Sequence, residues 1–383
     1  MHAAATNEDT EALLRLHLAG GRAAMRRSLL DSHGTAIDAL AAGATCWRAH
    51  GLDETQISAL KAPDPAALGR CRDWLAEAGH HLLGWHDPDY PPLLRQTSSP
   101  PLALFVMGDP GLLWHPAVAV VGSRNATAGG RDNARDFARA FAGSGLCVVS
   151  GLAAGIDTAA HEGALTAPGL TVAVLGTGPD VAFPRSNAGL LARIASRGAV
   201  ISEHPPGTGP RREHFPSRNR ILAGLSLGTL VIEAAERSGA LITARQAAEA
   251  GREVFAVPGS IHNPMARGCH RLLREGVTLV ESPAEVIGAL VPLAAELAEA
   301  LRGRLEDPIS RSGAVAATSA KGPVTPDPDY QCLWQALGHD PTGMDQLVSR
   351  TRLTTAELSS MLLVMELEGR VVAQHGRYTR KSS

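Results

Sequence analysis

The 383 residues carry 36 Lys and Arg against 38 Asp and Glu, a net charge of −2, and 44% of them are hydrophobic. This length fits two or three domains, and this balance excludes a uniformly basic nucleic-acid coat and an acidic disordered tail. Six Phe, five Trp and three Tyr are too few for a protein that stacks a long run of bases.

Charge is spread unevenly. Residues 1–115 hold nine basic and 13 acidic side chains, residues 116–290 hold 17 and 14, and the remainder is nearly balanced. An anionic ligand is therefore expected in the middle of the chain. Only Lys61, Lys321 and Lys381 are lysines. The other cations are arginines, whose planar fork suits phosphate, although GC-rich coding produces the same excess. Cys46, Cys71, Cys147, Cys269 and Cys332 are scattered, and no pair has C-x-x-C spacing, so reduced thiols are expected. Glu8, Asp9 and Glu11 stand where a signal peptide would be basic and then apolar. The apolar stretch after Val286 is broken by Pro292 and Glu296, too soon for a membrane span. The expectation is a cytoplasmic protein with no membrane partner.

Residues 1–80 read as a domain of short helices. Leu13 to Leu18 end at Gly20-Gly21, and Ala24 to Leu30 close at His33-Gly34. Asp53 can cap a helix through Leu60, and Pro65 can open another. Such a unit resembles a helix-hairpin-helix or SAM-type domain, which can present amides to phosphates. Its acidity favours packing or a partner instead. A proline-rich connector, Asp87 to Pro101, feeds a strand at Leu102–Met107.

Residues 81–300 then alternate strands and helices. Valine-rich runs at Ala117–Val121, Leu146–Val149, Thr171–Leu175, Ala199–Ile201, Thr229–Ile232, Val254–Val257 and Val277–Val280 are nearly continuous, as in strands buried on both faces. Ala134, Phe137, Ala138 and Phe141 mark a helix, with Arg131, Arg135 and Arg139 on its other side. The fold class is α/β, a Rossmann-like, doubly wound parallel sheet, with ligands at the carboxyl ends of its strands. Residues 303–328, rich in Pro, Ser, Ala and Gly, form a linker. Residues 329–383 give three helical patterns and a hairpin at Val371–Gln374 and Tyr378–Arg380, which suggests a winged helix.

Several strand ends deliver anion-binding chemistry. Val121-Gly122-Ser123-Arg124 offers a tight turn, backbone amides and one cation, and Gly129-Gly130 follows it into a helix, a phosphate-cradle layout. Ser150 to Asp157 ends the next strand, with Asp157 placed to cap the helix that carries His161. Gly176-Thr177-Gly178 is followed by Phe183-Pro184-Arg185. His214-Phe215-Pro216-Ser217-Arg218-Asn219-Arg220 opens a helix after Arg211-Arg212, and Ser238-Gly239 opens another. The chain lacks the Gly-x-Gly-x-x-Gly and Gly-Lys-Ser/Thr patterns of nucleotide folds, so no cofactor is expected. The densest histidines, His80, His81 and His86, fit no helical zinc pair, so no metal is expected either.

In this order these strings resemble the DNA-processing protein A family (DprA, also called Smf). Glu233-Ala234, Leu241-Ile242-Thr243-Ala244, Val257-Pro258-Gly259, Gly268-Cys269-His270 and Asp89-Tyr90-Pro91 extend the likeness to about residues 85–290. The resemblance implies a single-stranded DNA-binding protein, not an enzyme, that protects incoming DNA and loads RecA recombinase during natural transformation. It implies DNA-phosphate contacts at Arg124 and Arg185; together with the strand-end anion chemistry, the candidate DNA-binding residues are Gly122, Ser123, Arg124, Gly178, Arg185, Phe215, Arg218, Asn219, Arg220, Ser238 and Gly239. Bases would stack on Phe183 or Phe215. It further implies a homodimer formed around His270 and Leu279. At Arg185 the family usually has lysine, so charge is kept but geometry changes. The helix Thr354–Gly369 contains Glu357, Glu366 and Glu368 and no base-reading cation, which argues against sequence-specific duplex binding. The alternative is a nucleoside-monophosphate phosphoribohydrolase-like enzyme, suggested by Gly228-Thr229 with Glu233. There Leu225-Ser226-Leu227 replaces the leading glycines. A third reading, a winged-helix regulator, is disfavoured by the acidic helix.

Overall fold

A computed structural model describes residues 7–166 and 170–306, and beyond them residues 333–334, 336–337, 342–354, 358, 361–362, 365, 371–374 and 377–380. Contacts divide the chain into two units, Met1–Pro308 and Ile309–Ser383.

The first unit begins with six helices: α1 (Asn7–Leu18), α2 (Ala23–His33), α3 (Ala36–Ala41), α4 (Gly43–Ala49), α5 (Glu54–Lys61) and α6 (Pro65–Leu75). Their limits follow local chemistry. Asp53 and Gln56 form a reciprocal capping box at α5, and Asp64 with Pro65 opens α6, each satisfying amides that a helix leaves unpaired. Leu14, Leu68, Cys71 and Trp74 pack on Phe105 of the sheet. The helices therefore share their core with the domain that follows.

A nine-stranded sheet comes next: β1 (His80–Gly84), β2 (Ala103–Gly108), β3 (Ala117–Gly122), β4 (Cys147–Ser150), β5 (Thr171–Leu175), β6 (Ala199–Ser202), β7 (Gly228–Ile232), β8 (Glu253–Ala256) and β9 (Thr278–Leu279). The spatial order is β1-β2-β6-β5-β4-β3-β7-β8-β9. From β6 to β9 all pairings are parallel. One strand departs from the expected all-parallel sheet: β2 runs antiparallel to both of its neighbours, β1 and β6. The connector between β1 and β2 also holds a short helix, α7 (Pro92–Arg95).

The intervening helices are α8 (Ala128–Gly143), α9 (Ile156–Thr166), α10 (Ala188–Arg197), α11 (His214–Leu225), α12 (Gly239–Glu249), α13 (Arg267–Arg274) and α14 (Pro283–Glu306). Side chains alternate across each strand. Val172 and Val174 join the core under α11, α12 and α13, while Ala173 and Leu175 face α10 on the other side. Val118 and Val120 pack against α8, α9 and α14. Arg135 is held by Asp132 and Glu162, and Arg139 by Asp136, so these two α8 arginines form a paired surface.

In the second unit β10 (Thr342–Gly343), β11 (Val371–Gln374) and β12 (Arg377–Arg380) make a three-stranded antiparallel sheet, and a helix spans Met344–Thr351. Leu333, Leu337, Leu347, Leu358, Met361, Leu362, Met365 and Val371 form its core. The linker expected over residues 303–328 starts later than its composition suggests, because α14 continues to Glu306; residues 307–328, and Glu357, Glu366 and Glu368 of the acidic helix, lie outside the described residues.

Candidate functional site

A doubly wound sheet opens a crevice where strand order reverses, outside the carboxyl ends. Here that point is β3, since β4 lies on one side of it and β7 on the other. A cavity of about 610 Å³ opens there. Gly122 and Arg124 come from the end of β3, Ala153 and Asp157 from the β4–α9 turn, and Ser238, Gly239 and Thr243 from the start of α12. Arg212, Phe215, Arg218 and Asn219 of the α11 region and Phe183 complete the main walls.

Three guanidinium groups face this space against one carboxylate, Asp157. Arg124 is exposed, and its guanidinium carbon lies 5.3 Å from the centre of the Phe215 ring. Phe215 and Phe183 are 5.3 Å apart at 42°, and Phe183 is 40% exposed. Aromatic faces beside a fork-shaped cation can hold a flat π-system together with its anionic substituent. The start of α12 adds its dipole.

Arg218 and Asp157 make the buried floor. Arg218 is 5% exposed and donates to the Val174 carbonyl at 2.6 Å. Burial lowers its pKa to about 10, so it is charged at neutral pH. Asp157 accepts amide hydrogens from Gly151 at 3.1 Å and Ala153 at 3.4 Å. It therefore braces the loop before α9 rather than capping the helix. Burial raises its pKa, and Arg218 is the strongest opposing influence. His161 is fully buried with Nδ1 2.8 Å from Thr171 Oγ1, and burial lowers its pKa to about 3. It is a neutral core histidine.

Gly122 is required where the strand ends. A Cβ there would overlap the Ile232 carbonyl oxygen and the Ile156 side chain. Gly122→Ala is expected to cost about 1–3 kcal/mol, as overpacking does, read as a lower urea midpoint at unchanged slope.

Other sequence candidates are placed differently. Ser123 is buried; its amide donates to the Glu233 carbonyl at 2.6 Å, and its hydroxyl lies 3.3 Å from Met265 Sδ and accepts from Asn125 N. Gly178 spends its amide on the Thr208 carbonyl at 2.8 Å, and a Cβ on it would press on Pro205 O. Arg220 is ion-paired with Glu203. Arg185 is exposed in the turn after Phe183 but is not part of the cavity wall. Asn219 reaches Gly239 O at 3.4 Å and joins α11 to α12. Conversely, Arg212, Asp157, Ile242 and Thr243 line the cavity although the sequence assigns none of them to DNA: Asp157 reads there as a helix cap, Ile242 and Thr243 as part of a helix start, and Arg212 as one of a doubled arginine.

The expected phosphate cradle at α8 is already filled. Glu233 Oε2 accepts the Thr127 amide at 2.8 Å, and Oε1 accepts the Thr127 hydroxyl at 2.5 Å and Asn263 Nδ2 at 3.0 Å. A Cβ on Gly130 would strike this carboxylate. The helix terminus that binds phosphate in dinucleotide folds thus holds the protein's own anion, at a residue with φ of 51°.

At the far edge of the sheet, β9 pairs only with β8 among the described residues, Leu279 is 47% exposed, and His270 Nε2 is 2.9 Å from Gly259 O.

Two family models match the chain: DNA recombination-mediator protein A over residues 81–291 and the DprA winged helix domain over residues 317–377. The chain is 39% identical to Protein Smf of Escherichia coli K12 over 308 residues, 80% of this chain and 79% of that one. It is similar to the X-ray structure of DNA processing protein A from Streptococcus pneumoniae, with TM-score 0.65, 36% identity, and coverage of 73% of this chain and 97% of that one. It is also similar to DNA processing protein A from Helicobacter pylori, whose structure concerns a single-stranded DNA binding mode. There the TM-score is 0.51 with 27% identity, covering 56% of this chain and 96% of that one.

Proposed function

The chain belongs to the DNA recombination-mediator protein A family, which includes DprA and Smf, and we propose that it binds single-stranded DNA in the cleft at β3. The observation that carries this reading is the Phe183–Phe215 pair with Arg124 over Phe215, in a cavity where cations outnumber carboxylates. Phosphates lie on Arg124 and Arg212, and a base lies on the exposed Phe183 face, the combination that holds single strands without reading sequence. Arg185 extends the basic track at the cleft mouth. Gly122, Gly239, Asn219 and Arg218 shape the walls. Ser123, Gly178 and Arg220 act through the scaffold, since their polar groups are engaged within it.

In the cell the proposed role is that of a cytoplasmic homodimer that hands incoming single strands to RecA recombinase during natural transformation. The unpaired edge of β9, with Leu279 and nearby His270, is the surface for self-association. Among the described residues no helix is long and apolar enough to cross a membrane.

The protein acts by binding, not by catalysis. A phosphoribohydrolase-like site would need the Glu233 carboxylate and the α8 terminus free. Both are occupied by each other, and His161 is sealed in the core. The test is a salt titration with single- and double-stranded oligonucleotides of equal length. Single strands are expected to bind more tightly, with log affinity falling by about 0.7 per phosphate contact for each tenfold rise in salt. Equal affinity for duplex would remove the stacking role of the two phenylalanines.

Residues 329–383 carry balanced charge and lie outside the unit that contains the cleft. Deleting them is expected to leave single-strand affinity within about tenfold, a change of no more than about 1.4 kcal/mol. A larger loss would move part of the binding site into the second unit.

A further inference from the structure

Away from the cleft, three metal-ligating side chains meet in the N-terminal helices. His33 ends α2, while Cys46 and His50 stand four residues apart on α4 and its cap. The His50 amide donates to the Cys46 carbonyl at 3.1 Å, so helical spacing continues to His50 and both side chains leave one face. One ligand atom from each residue lies within 4.8 Å of the others, and all three are half-buried. The His33 Nε2 to Cys46 Sγ distance is 3.7 Å. A tetrahedral zinc ion with bonds of about 2.0–2.3 Å separates its ligand atoms by roughly 3.3–3.6 Å, so small rotamer adjustments suffice.

The surroundings also orient the imidazoles. His33 Nδ1 lies 2.9 Å from the Leu29 carbonyl. A carbonyl can only accept, so Nδ1 carries the hydrogen and Nε2 presents its lone pair toward Cys46. This is the outer-shell arrangement that fixes metal-binding histidines. His50 Nδ1 is 3.3 Å from Ser28 Oγ, so α2 positions the second imidazole as well. Sequence spacing concealed the group, because His33 is separated from Cys46 by a whole helix, α3.

We propose that His33, Cys46 and His50 bind a zinc-class divalent cation that ties the end of α2 to α4, with a water molecule as fourth ligand. A thiolate with two imidazoles is a borderline-soft set suited to zinc or cobalt rather than magnesium or calcium. On binding, the Cys46 thiol gives its proton to solvent, and the metal takes the sulfur and two nitrogen lone pairs. The site is independent of the DNA cleft.

The test is titration of the full-length, untagged, reduced protein with Co²⁺. One equivalent is expected to give the near-ultraviolet thiolate-to-cobalt band and the intense visible bands of a four-coordinate ion, both erased by Zn²⁺. Cys71, Cys147 and Cys269 are buried; Cys46→Ala is therefore expected to lose the thiolate band, while Cys332→Ser keeps it. His50→Ala is expected to weaken cobalt by at least about 100-fold, the upper end of what loss of an outer-shell partner alone costs. Cys46→Ser preserves side-chain size and replaces Cys46→Ala if that variant fails to fold. Zn²⁺ is expected to raise the melting temperature of the natural protein and not of the Cys46 variant. Absence of a thiolate band at one equivalent, or its survival in a folded Cys46 variant, overturns the proposal.

Discussion

Arg124→Ala is expected to weaken single-stranded DNA binding by roughly 10- to 100-fold, the value of about 1.5–3 kcal/mol for a charge-assisted hydrogen bond. The side chain is exposed at the carboxyl end of β3, at the point where the sheet order reverses. It also covers Phe215, so its loss removes both a phosphate partner and one side of the aromatic platform. The slope of log affinity against log salt is expected to flatten by about 0.7 for the lost phosphate contact. Arg124→Lys should restore the salt slope but not the full affinity, because a point charge cannot reproduce the planar fork. Folding is expected to survive, since an exposed strand-end arginine contributes little to the core. Arg185→Ala is a useful comparison. Its charge stands outside the cavity wall, so its loss should affect mainly the salt-dependent part of binding. A well-folded Arg124→Ala protein with unchanged affinity and slope would show that this cleft does not hold the DNA backbone.

The sheet was legible because its strands are apolar on both faces. Runs such as Thr171–Leu175 and Thr229–Ile232 carry enough valine and isoleucine to be recognised without tertiary information. β1 was not legible. His80-His81-Leu82-Leu83-Gly84 has no β-branched residue, and it becomes a strand because β2 offers it an antiparallel edge. Within the cleft, Arg124, Phe215 and Gly239 could be found from position alone, since strand ends and helix starts converge in this fold. What a backbone amide binds could not. The amides of Ser123 and Gly178 look available in a local reading, and their partners, Glu233 and Thr208, lie 110 and 30 residues away. The same holds for Arg220, which sits in a run of arginines yet is neutralised by Glu203. Glu233 filling the α8 terminus has no local signature either, because the contact spans 106 residues. Sequence therefore revealed where the cleft is, and long-range pairing decided which polar groups remained to face it.

Arg218→Met is expected to destabilise the first unit by up to about 3–5 kcal/mol, the upper range for leaving a buried charge without the opposite charge near it; Arg218 and Asp157 are both buried and act on each other electrostatically. Arg218 lies in the same run of arginines as Arg220 but is 5% exposed and bonded to the Val174 carbonyl. Its guanidinium fills the space beside Gly151 that a Cβ would occupy. Asp157 then keeps its two backbone amides but loses the charge that most opposes its desolvation. The pH dependence has a definite sign. Burial already raises the Asp157 pKa above its ordinary value of 3.8, so the folded protein holds this proton more firmly than the unfolded chain. Its stability contribution therefore falls as pH rises from the unfolded carboxyl range through the folded value. Removing Arg218 extends that window upward, and Arg218 itself titrates near 10, outside it. The deficit of Arg218→Met against the natural protein should thus be larger at about pH 8 than at about pH 5. Adding Asp157→Asn removes the stranded charge and should recover part of the loss and most of its pH dependence. The measurement is urea unfolding of the natural protein, Arg218→Met and the double variant at both pH values. A single-variant loss under about 1 kcal/mol, the range of exposed pairs, with no pH dependence would mean that Arg218 and Asp157 are solvated independently and that the cleft floor is open to water.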